Sequence, residues 1–209
     1  VDFSVRPGEF VAIVGPSGAG KSTLLHLLAG LDRADEGAVW VDGRNLGELD
    51  DDRLTDLRRE SIGLVFQFFH LIPTLSAWEN VALPLVLGGG RLGAGRARAM
   101  ELLDLVGLAD RAGHLPAELS GGQLQRVAVA RALMLSPRIV LADEPTGSLD
   151  SEAGATVVDL LAGLARDGDR AVVVVTHDPQ VGASADRVVS IRDGRVVQHD
   201  DAHGSPSGP

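Results

Sequence analysis

The sequence predicts an α/β fold in which a mainly parallel sheet is interrupted, in chain order, by an inserted helical segment. Short runs of β-favouring residues alternate with helix-like stretches on both sides of this insertion, and such alternation is typical of a parallel sheet covered by helices. From about Trp78 to Leu135 the β signal disappears. The 209 residues are enough for one sizeable domain with a smaller subdomain folded into it.

We therefore divide the chain into an α/β core over residues 1–77 and 136–198, an α-helical subdomain over 78–135 and a disordered tail over 199–209. The tail is polar and contains Gly, Pro and Ser, a composition that does not support a packed core. The chain begins at Val1 without a methionine and within a strand-like run. We expect an N-terminal β part that is truncated, with the true N-terminus upstream.

The first half of the core contains three strand candidates and one amphipathic helix. Phe10–Val14 is a β-rich run that ends at a glycine cluster. Across Ser22–Leu31 leucines recur every three or four residues, which indicates a helix with one buried face. Val39–Val41 enters a tight turn at Asp42-Gly43, and Ile62–Phe66 is a further apolar run.

The insertion is expected to contain two helices, Arg96–Val106 and Ser120–Leu135, preceded by a glycine-rich break at Gly88–Gly95. After the insertion, strands and helices alternate again: a strand, a helix and a strand are followed by a hairpin whose turn is Asp193-Gly194. These elements are Ile139–Ala142, Glu152–Leu164, Ala171–Thr176, Val188–Ile191 and Val196–Val197.

Composition excludes several classes of function. The net charge is −10, which argues against a general nucleic-acid binder, because such a protein needs a basic face. There are no cysteines, so disulfides and thiolate metal sites are impossible. The longest apolar runs, such as Val81–Leu87, are far shorter than the roughly 20 residues of a membrane-spanning helix.

A phosphate-binding loop is the clearest functional signal. Gly15 to Ser22 fits the pattern G-x-x-x-x-G-K-[ST] without a mismatch, between an apolar strand and an amphipathic helix. Its backbone N–H groups and the helix N-terminus favour phosphate, Lys21 adds charge, and the Ser22 hydroxyl suits Mg²⁺. A glycine-rich turn without function is the alternative, which Lys21 disfavours. The predicted nucleotide contacts are Gly15, Pro16, Ser17, Gly18, Ala19, Gly20, Lys21, Ser22 and Thr23.

Two adjacent carboxylates follow the apolar strand Ile139–Ala142. A carboxylate at the end of a strand beside a phosphate loop suits a magnesium site, so we assign Asp143 to the metal. Glu144 is then placed to deprotonate the attacking water. Taken alone, the pair would fit an acidic turn equally well, and it is the phosphate loop that favours catalysis.

A second glycine-rich turn, Leu119-Ser-Gly-Gly-Gln123, stands directly before a long helix. Its exposed N–H groups and serine hydroxyl form a second anion-binding helix terminus, one more than a single ATP needs. A twofold head-to-tail dimer would use both, with Ser120, Gly121, Gly122 and Gln123 of one copy closing on the nucleotide of the other. A simple helix cap is the alternative.

These motifs together resemble ABC-transporter nucleotide-binding domains, which share a P-loop NTPase core with an inserted helical subdomain. The resemblance covers essentially the whole ordered chain. It rests on Gly15–Thr23, Gln67, Leu119–Gln123, Ile139–Glu144, Ser148-Leu149-Asp150 and His177. Narrower similarity to the lipoprotein-release, macrolide-export and cell-division branch comes from Val65-Phe-Gln67, Glu79-Asn-Val81 with Pro84, Gln123–Leu133 and Ala142–Asp150.

The resemblance implies further roles. Gln67 would sense Mg²⁺ and the attacking water at the hinge to the helical subdomain, His177 would bond the γ-phosphate, and Asp150 would lie at the dimer interface. The catalytic set is thus Glu144, His177, Gln67 and Lys21, and the metal set is Ser22, Gln67 and Asp143. The other histidines show no metal spacing and are interpreted as structural: His26, His70, His114, His199 and His203.

The chain departs from the family pattern at three places. The aromatic residue that stacks on adenine lies, in the family, upstream of where this chain begins, and the chain contains no tyrosine. Glycines at 88–90, 93 and 95 replace a charged helix start, which predicts a locally loose subdomain. Trp78 stands where an aliphatic residue is common.

The resemblance implies ATP and Mg²⁺ as ligands, a second ATPase subunit (identical or a paralogue) and an integral-membrane permease as partners, and a peripheral position at the cytoplasmic face of the cell membrane. Part of Gln67–Trp78 is a candidate docking surface for a permease helix, with filling of the subdomain core as an equally weighted alternative.

Three other classes of function compete with this interpretation. A chromosome-maintenance ATPase would carry a long coiled coil, but only about fifty residues separate Gln67 from Leu119 and they lack heptads. A translation factor would need two such cassettes and a basic face. A mechanotransmission ATPase, which moves a membrane partner without transport, stays open as the alternative to export or lipoprotein extraction.

Overall fold

The computed structural model describes residues 1–167 and 169–201. Its central sheet has six strands in the order β4-β5-β6-β1-β7-β8, of which the first five are parallel and β8 is antiparallel. The strands are β1 (Phe10–Val14), β4 (Ile62–Val65), β5 (Ile139–Asp143), β6 (Ala171–Thr176), β7 (Arg187–Arg192) and β8 (Arg195–Asp201). A separate hairpin pairs β2 (Trp40–Val41) with β3 (Arg44–Asn45). The predicted α/β class is confirmed.

Seven α-helices lie between these strands in the described part of the chain. They are α1 (Lys21–Leu28), α2 (Asp51–Ser61), α3 (Ala77–Leu87), α4 (Arg96–Leu105), α5 (Gly121–Ala132), α6 (Ser151–Arg166) and α7 (Pro179–Ser184). In residues 1–167 and 169–201, none of them is long and apolar enough to cross a membrane.

Successive side chains of the central strands lie on opposite faces of the sheet and belong to two separate hydrophobic cores. In β1, Phe10 and Ala12 face one core while Val11 and Ile13 face the other, as the period of two in a strand requires. The first core continues into α3, α4 and α5, so the helical segment packs as an extension of one face of the sheet. The second core is covered by α1 and α2.

The register of the central strands brings three chain segments to one edge of the sheet. Val14 at the end of β1 lies opposite Thr176 at the end of β6, and Asp143 at the end of β5 lies opposite Val175. Because these strands are parallel, the loops that leave them start side by side. The residues that follow β1, β5 and β6 therefore meet at a single location, which contains the candidate site.

Several element bounds differ from the sequence-based prediction. Helix α1 was expected to reach Leu31 but ends at Leu28, because Gly30 adopts a left-handed φ of 62° and the Leu31 amide bonds back to His26. The strand expected at Val1 is not formed in the described residues, where the first strand starts at Phe10.

The two predicted tight turns are confirmed. Asp42-Gly43 and Asp193-Gly194 both have positive φ at both residues, as a two-residue hairpin turn requires. Strand β8 then continues to Asp201, so the prediction of disorder from residue 199 is wrong for residues 199–201, which pair with the start of β7. Residues 202–209, including His203, lie outside the described residues.

Candidate active site

The phosphate-binding loop joins β1 to α1 and is fixed by its neighbours. Gly20 caps α1 with a left-handed φ of 95°, a conformation that favours glycine. Gly15 lies so close to the Ile191 carbonyl oxygen that an added Cβ would clash with it. The Gly194 amide donates a 3.0 Å hydrogen bond to the Ala19 carbonyl. The β7–β8 hairpin therefore packs against this loop and fixes its position.

Lys21 is the first residue of α1 and is buried, with 8% of its side chain exposed. Its Nζ donates hydrogen bonds to the carbonyls of Gly15 (2.8 Å) and Pro16 (3.2 Å). The ammonium is thus held inside the loop, 3.9 Å from Glu144 Oε1. A compact cation enclosed by a loop of backbone amides is suited to bind phosphate oxygens.

Ser22 and Asp143, the two residues predicted to hold Mg²⁺ with Gln67, lie next to each other in the structure. The Ser22 hydroxyl donates a 3.1 Å hydrogen bond to Asp143 Oδ1, although the two residues come from different elements. In residues 1–167 and 169–201 no cluster of three or more His, Cys, Asp or Glu could hold a metal. The pair fits Mg²⁺, which takes one or two protein ligands and completes its shell with phosphates and water.

Glu144 sits in a conformation that the surrounding structure imposes. Its φ is 44°, in the left-handed region that non-glycine residues rarely adopt. The Glu144 amide donates to Val175 O (2.9 Å), and the Gly147 amide donates to its carbonyl (3.0 Å). Such strain at a carboxylate next to a phosphate loop is typical of functional residues.

His177 follows β6 and reaches Glu144 directly. Its Nδ1 lies 3.0 Å from both carboxylate oxygens, and its amide donates to Oε2 at 3.3 Å. The side chain is nonetheless 68% exposed. The imidazole is therefore positioned by Glu144 on one side and accessible to a ligand on the other.

Gln67 lies after β4, and the loop that follows Glu144 holds it in place. The Ser148 hydroxyl donates to its carbonyl (3.1 Å), and a Cβ added at Gly147 would lie 2.9 Å from its Nε2. Helix α5 holds the neighbouring residues, since Gln125 Nε2 donates to Phe66 O and the Arg131 guanidinium donates to the carbonyls of Phe69 and His70. Burial lowers the pKa of Arg131.

The second glycine-rich turn forms a different surface. Ser120 and Gln123 make a reciprocal capping box at the start of α5, with the Gln123 amide donating to Ser120 Oγ and the Ser120 amide donating to Gln123 Oε1. A cavity of about 230 Å³ beside this cap is lined by Ser120, Gly122, Gln123 and Asp150. Asp150 also caps α6, accepting from the Ala153 amide.

The predicted residues thus fall into two groups. Lys21, Ser22, Asp143, Glu144 and His177 meet at the carboxyl edge of the sheet, with Gln67 attached through the loop after Glu144. The cavity beside Ser120 contains no residue of the phosphate loop.

Sequence reasoning missed three residues that support the first group. Thr176 donates a hydrogen bond to Glu144, and Gln125 and Arg131 hold the loop around Gln67. Thr176 gave one detectable signal, because it is the polar end of a run of four valines. Nothing in the helical pattern of α5 distinguishes Gln125 and Arg131 from surface residues.

Comparison with known proteins identifies the family. A family model described as ABC transporter matches residues 1–147. The pyoverdine export ATP-binding/permease protein PvdT of Pseudomonas entomophila is 52% identical over 99% of the chain and 31% of its own length. The macrolide export ATP-binding/permease protein MacB of Rhodopseudomonas palustris is 52% identical over 94% of the chain and 30% of its own length. The chain spans less than a third of these relatives.

Solved structures agree over nearly the whole chain. A dimeric post-hydrolysis structure of the ATP-binding cassette MJ0796 with ADP and Pi is 46% identical, covers 98% of this chain and 90% of its own, and gives a TM-score of 0.88. A second dimeric structure of MJ0796 gives 48% identity and a TM-score of 0.87. With the phosphate loop, the paired carboxylates and the second glycine-rich turn in place, the chain belongs to the ABC transporter family as one of its ATP-binding and ATP-hydrolysing domains.

Proposed function

We propose that this chain energises a membrane permease for export, through closure of two ATPase subunits around ATP. The observation that supports this most is the separation of the phosphate loop from the second glycine-rich turn. Lys21 and the phosphate loop stand at the edge of the sheet, while Ser120 and Asp150 line a distinct cavity at the start of α5. One ATP at the first surface leaves the second without a ligand unless another subunit provides it.

Binding of ATP follows from the geometry of the loop. The amides of residues 15–20 and the N-terminus of α1 attract the phosphates, and the buried ammonium of Lys21 adds a positive charge at their centre. Ser22 and Asp143 would hold Mg²⁺, which neutralises phosphate charge when bound. Pro16, Ser17, Gly18 and Thr23 complete the same segment.

Hydrolysis requires a base for the attacking water, and Glu144 is the residue placed for it. Its carboxylate lies beside Lys21 and is oriented by contacts from the end of β6. His177 reaches the same carboxylate with a largely exposed ring, so it is available to bond the γ-phosphate and position the water. Gln67 approaches from the loop after β4 and is assigned to sense the same water.

ATP drives closure because it binds the closed state of the two subunits more tightly than the open state. The amides of Gly121 and Gly122 and the Ser120 hydroxyl of one subunit would contact the γ-phosphate held by its mate, and only in the closed state. The dimeric MJ0796 structures, one of them with ADP and Pi, support this arrangement. The names of the export relatives, which are ATP-binding/permease proteins, support a permease partner. A peripheral position at the cytoplasmic face of the membrane is part of the same proposal.

Light scattering on the Glu144→Gln variant tests the proposal. With MgATP this variant should form a dimer and hydrolyse ATP orders of magnitude more slowly than the wild type. Adding Ser120→Arg should abolish the dimer, since the new side chain blocks the second anion site. The matched control is Ala97→Arg, at an exposed position of α4, which should leave dimerisation intact. A monomer that hydrolyses at the full rate would contradict the proposal.

A further inference from the structure

The two oxygens of the Glu144 carboxylate have different surroundings. Oε2 accepts hydrogen bonds from the Thr176 hydroxyl at 3.0 Å and from the His177 amide at 3.3 Å. Oε1 lies 3.9 Å from Lys21 Nζ. His177 Nδ1 is 3.0 Å from both. Oε2 is therefore attached to the end of β6, and Oε1 faces the phosphate loop.

Thr176 is the fixed member of this group. It is the last residue of β6, is fully buried, and is held in register between β5 and β1 at the centre of the sheet. Its hydroxyl oxygen accepts a 3.0 Å hydrogen bond from the Asp178 amide. Since a hydroxyl has a single hydrogen to donate, the Asp178 contact leaves that hydrogen directed at Glu144 Oε2.

The His177 side chain cannot hold the Glu144 carboxylate in this way throughout the catalytic cycle. Its ring is 68% exposed and is the group proposed to bond the γ-phosphate, so it has another ligand when ATP is bound. Thr176 has no such freedom, because its side chain is enclosed and its hydroxyl is already held by Asp178. The side-chain contact to Oε2 that persists through the cycle therefore comes from Thr176, beside the backbone amide of His177.

We infer that Thr176 is a positioning residue for the catalytic carboxylate. It holds Oε2 so that Oε1 is the oxygen presented to the attacking water. The inference rests on the proposed function, in which Glu144 is the general base. Because Glu144 also has a strained backbone, a second attachment through its side chain keeps the carboxylate in one orientation.

The test compares Thr176→Val with Thr176→Ser. Valine keeps the shape but removes the hydroxyl, whereas serine keeps the hydroxyl. Loss of one hydrogen bond to a charged group predicts a roughly 10- to 100-fold lower kcat for Thr176→Val. The KM for ATP should stay within about twofold, because Thr176 does not touch the phosphate loop. Thr176→Ser should restore the rate to within about threefold of the wild type.

A second readout needs no nucleotide. In the apo protein, Thr176→Val should lower the unfolding midpoint more in the wild-type background than in a Glu144→Ala background, because the two side chains interact only when both are present. If Thr176→Val does not fold, Thr176→Ala takes its place in both measurements, since it leaves room for a water molecule on the Asp178 amide.

Three results would overturn the inference. They are a Thr176→Val enzyme with wild-type kcat, a Thr176→Ser enzyme as slow as Thr176→Val, and failure of both valine and alanine variants to fold while the serine variant folds. Glu144→Gln in the same assay distinguishes a failure of the proposed function from a failure of the inference about Thr176. If Glu144→Gln retains turnover, the proposed base is wrong. If Glu144→Gln is inactive and Thr176→Val is not, only the role of Thr176 is wrong.

Discussion

At the scale of the residue, the site depends on a glycine at a position where there is no space for a side chain. Gly15 stands where β1 gives way to the phosphate loop, and the carbonyl of Ile191 occupies the space that a Cβ would need. Lys21 in turn donates to the Gly15 carbonyl, so the position of this one residue determines where the ammonium lies. The backbone geometry at Gly15 thus positions the positive charge that would bind phosphate.

Gly15→Ala should therefore be costly. The new methyl group meets backbone rather than a flexible side chain, and overpacking of this kind lowers the free energy of unfolding by about 1–3 kcal/mol. ATP affinity should fall as well, because the loop must shift to relieve the clash. Urea denaturation and nucleotide titration measure the two effects. Gly93→Ala is the matched control, since its Cβ would meet open space, and a similar loss in both variants would contradict the explanation.

At the scale of the element, two α-helices begin with a capping box, and one of these caps contains residues of the proposed site. The capping box of α5 uses Ser120 and Gln123 themselves, so the residues proposed to bind the partner's nucleotide also start their own helix. The capping box of α3 is purely structural. There Glu79 Oε2 accepts from the amide and the hydroxyl of Ser76, and these bonds lower the pKa of Glu79 below its usual 4.5.

That shift gives the α3 cap a defined pH dependence. Because the folded-state pKa lies below the unfolded value, the stabilisation is fully present above about pH 4.5 and is lost as the pH falls through the folded-state pKa. Glu79→Gln should lower the free energy of unfolding by about 0.5–1 kcal/mol at pH 7, and by progressively less as the pH falls through the folded-state pKa of Glu79. Glu101→Gln, which removes an exposed ion pair with Arg98, should show a much smaller effect at pH 7.

At the scale of the whole molecule, the surface proposed for the permease surrounds the loop that carries Gln67. A groove of about 510 Å³ between α2 and the helical segment is lined by Phe66, His70 and Leu87. Phe68 is 67% exposed beside it, whereas Leu71 and Trp78 pack against the core. Part of the segment 67–78 therefore fills the core, and docking stays a proposal for its exposed part around Phe68.

Phe68→Asp tests the docking role. Membrane vesicles that contain the permease should pellet the wild-type chain, and the charged variant should be recovered largely in the supernatant, because a buried unpaired carboxylate opposes docking. Leu105→Asp provides the control at an apolar position of α4 that is 51% exposed. Equal pelleting of both variants, with unchanged folding, would show that permease contact lies elsewhere.

How far the sequence alone could predict this molecule depends on the range of the interactions. The phosphate loop, the carboxylates and the two tight turns were predictable because each is encoded in a few adjacent residues. The end of α1 at Leu28 and the contact of Thr176 with Glu144 were not, since the first depends on a left-handed glycine and the second on the pairing of β5 with β6. The Gln67 loop is likewise held by Gln125 and Arg131, about sixty residues further along the chain.

The hairpin of β7 and β8 carries none of the residues assigned to chemistry, yet it closes the back of the nucleotide site through Ile191 and Gly194. Natural variation in this stretch should consequently be uneven. Arg192 and Arg195 are exposed and free to diverge. The turn glycine between them has a left-handed φ of 71°, which favours glycine, and this turn places its amide on the carbonyl of Ala19, more than 170 positions away in the chain. Selection for ATP use thus extends to a surface turn that lies outside the phosphate-loop motif.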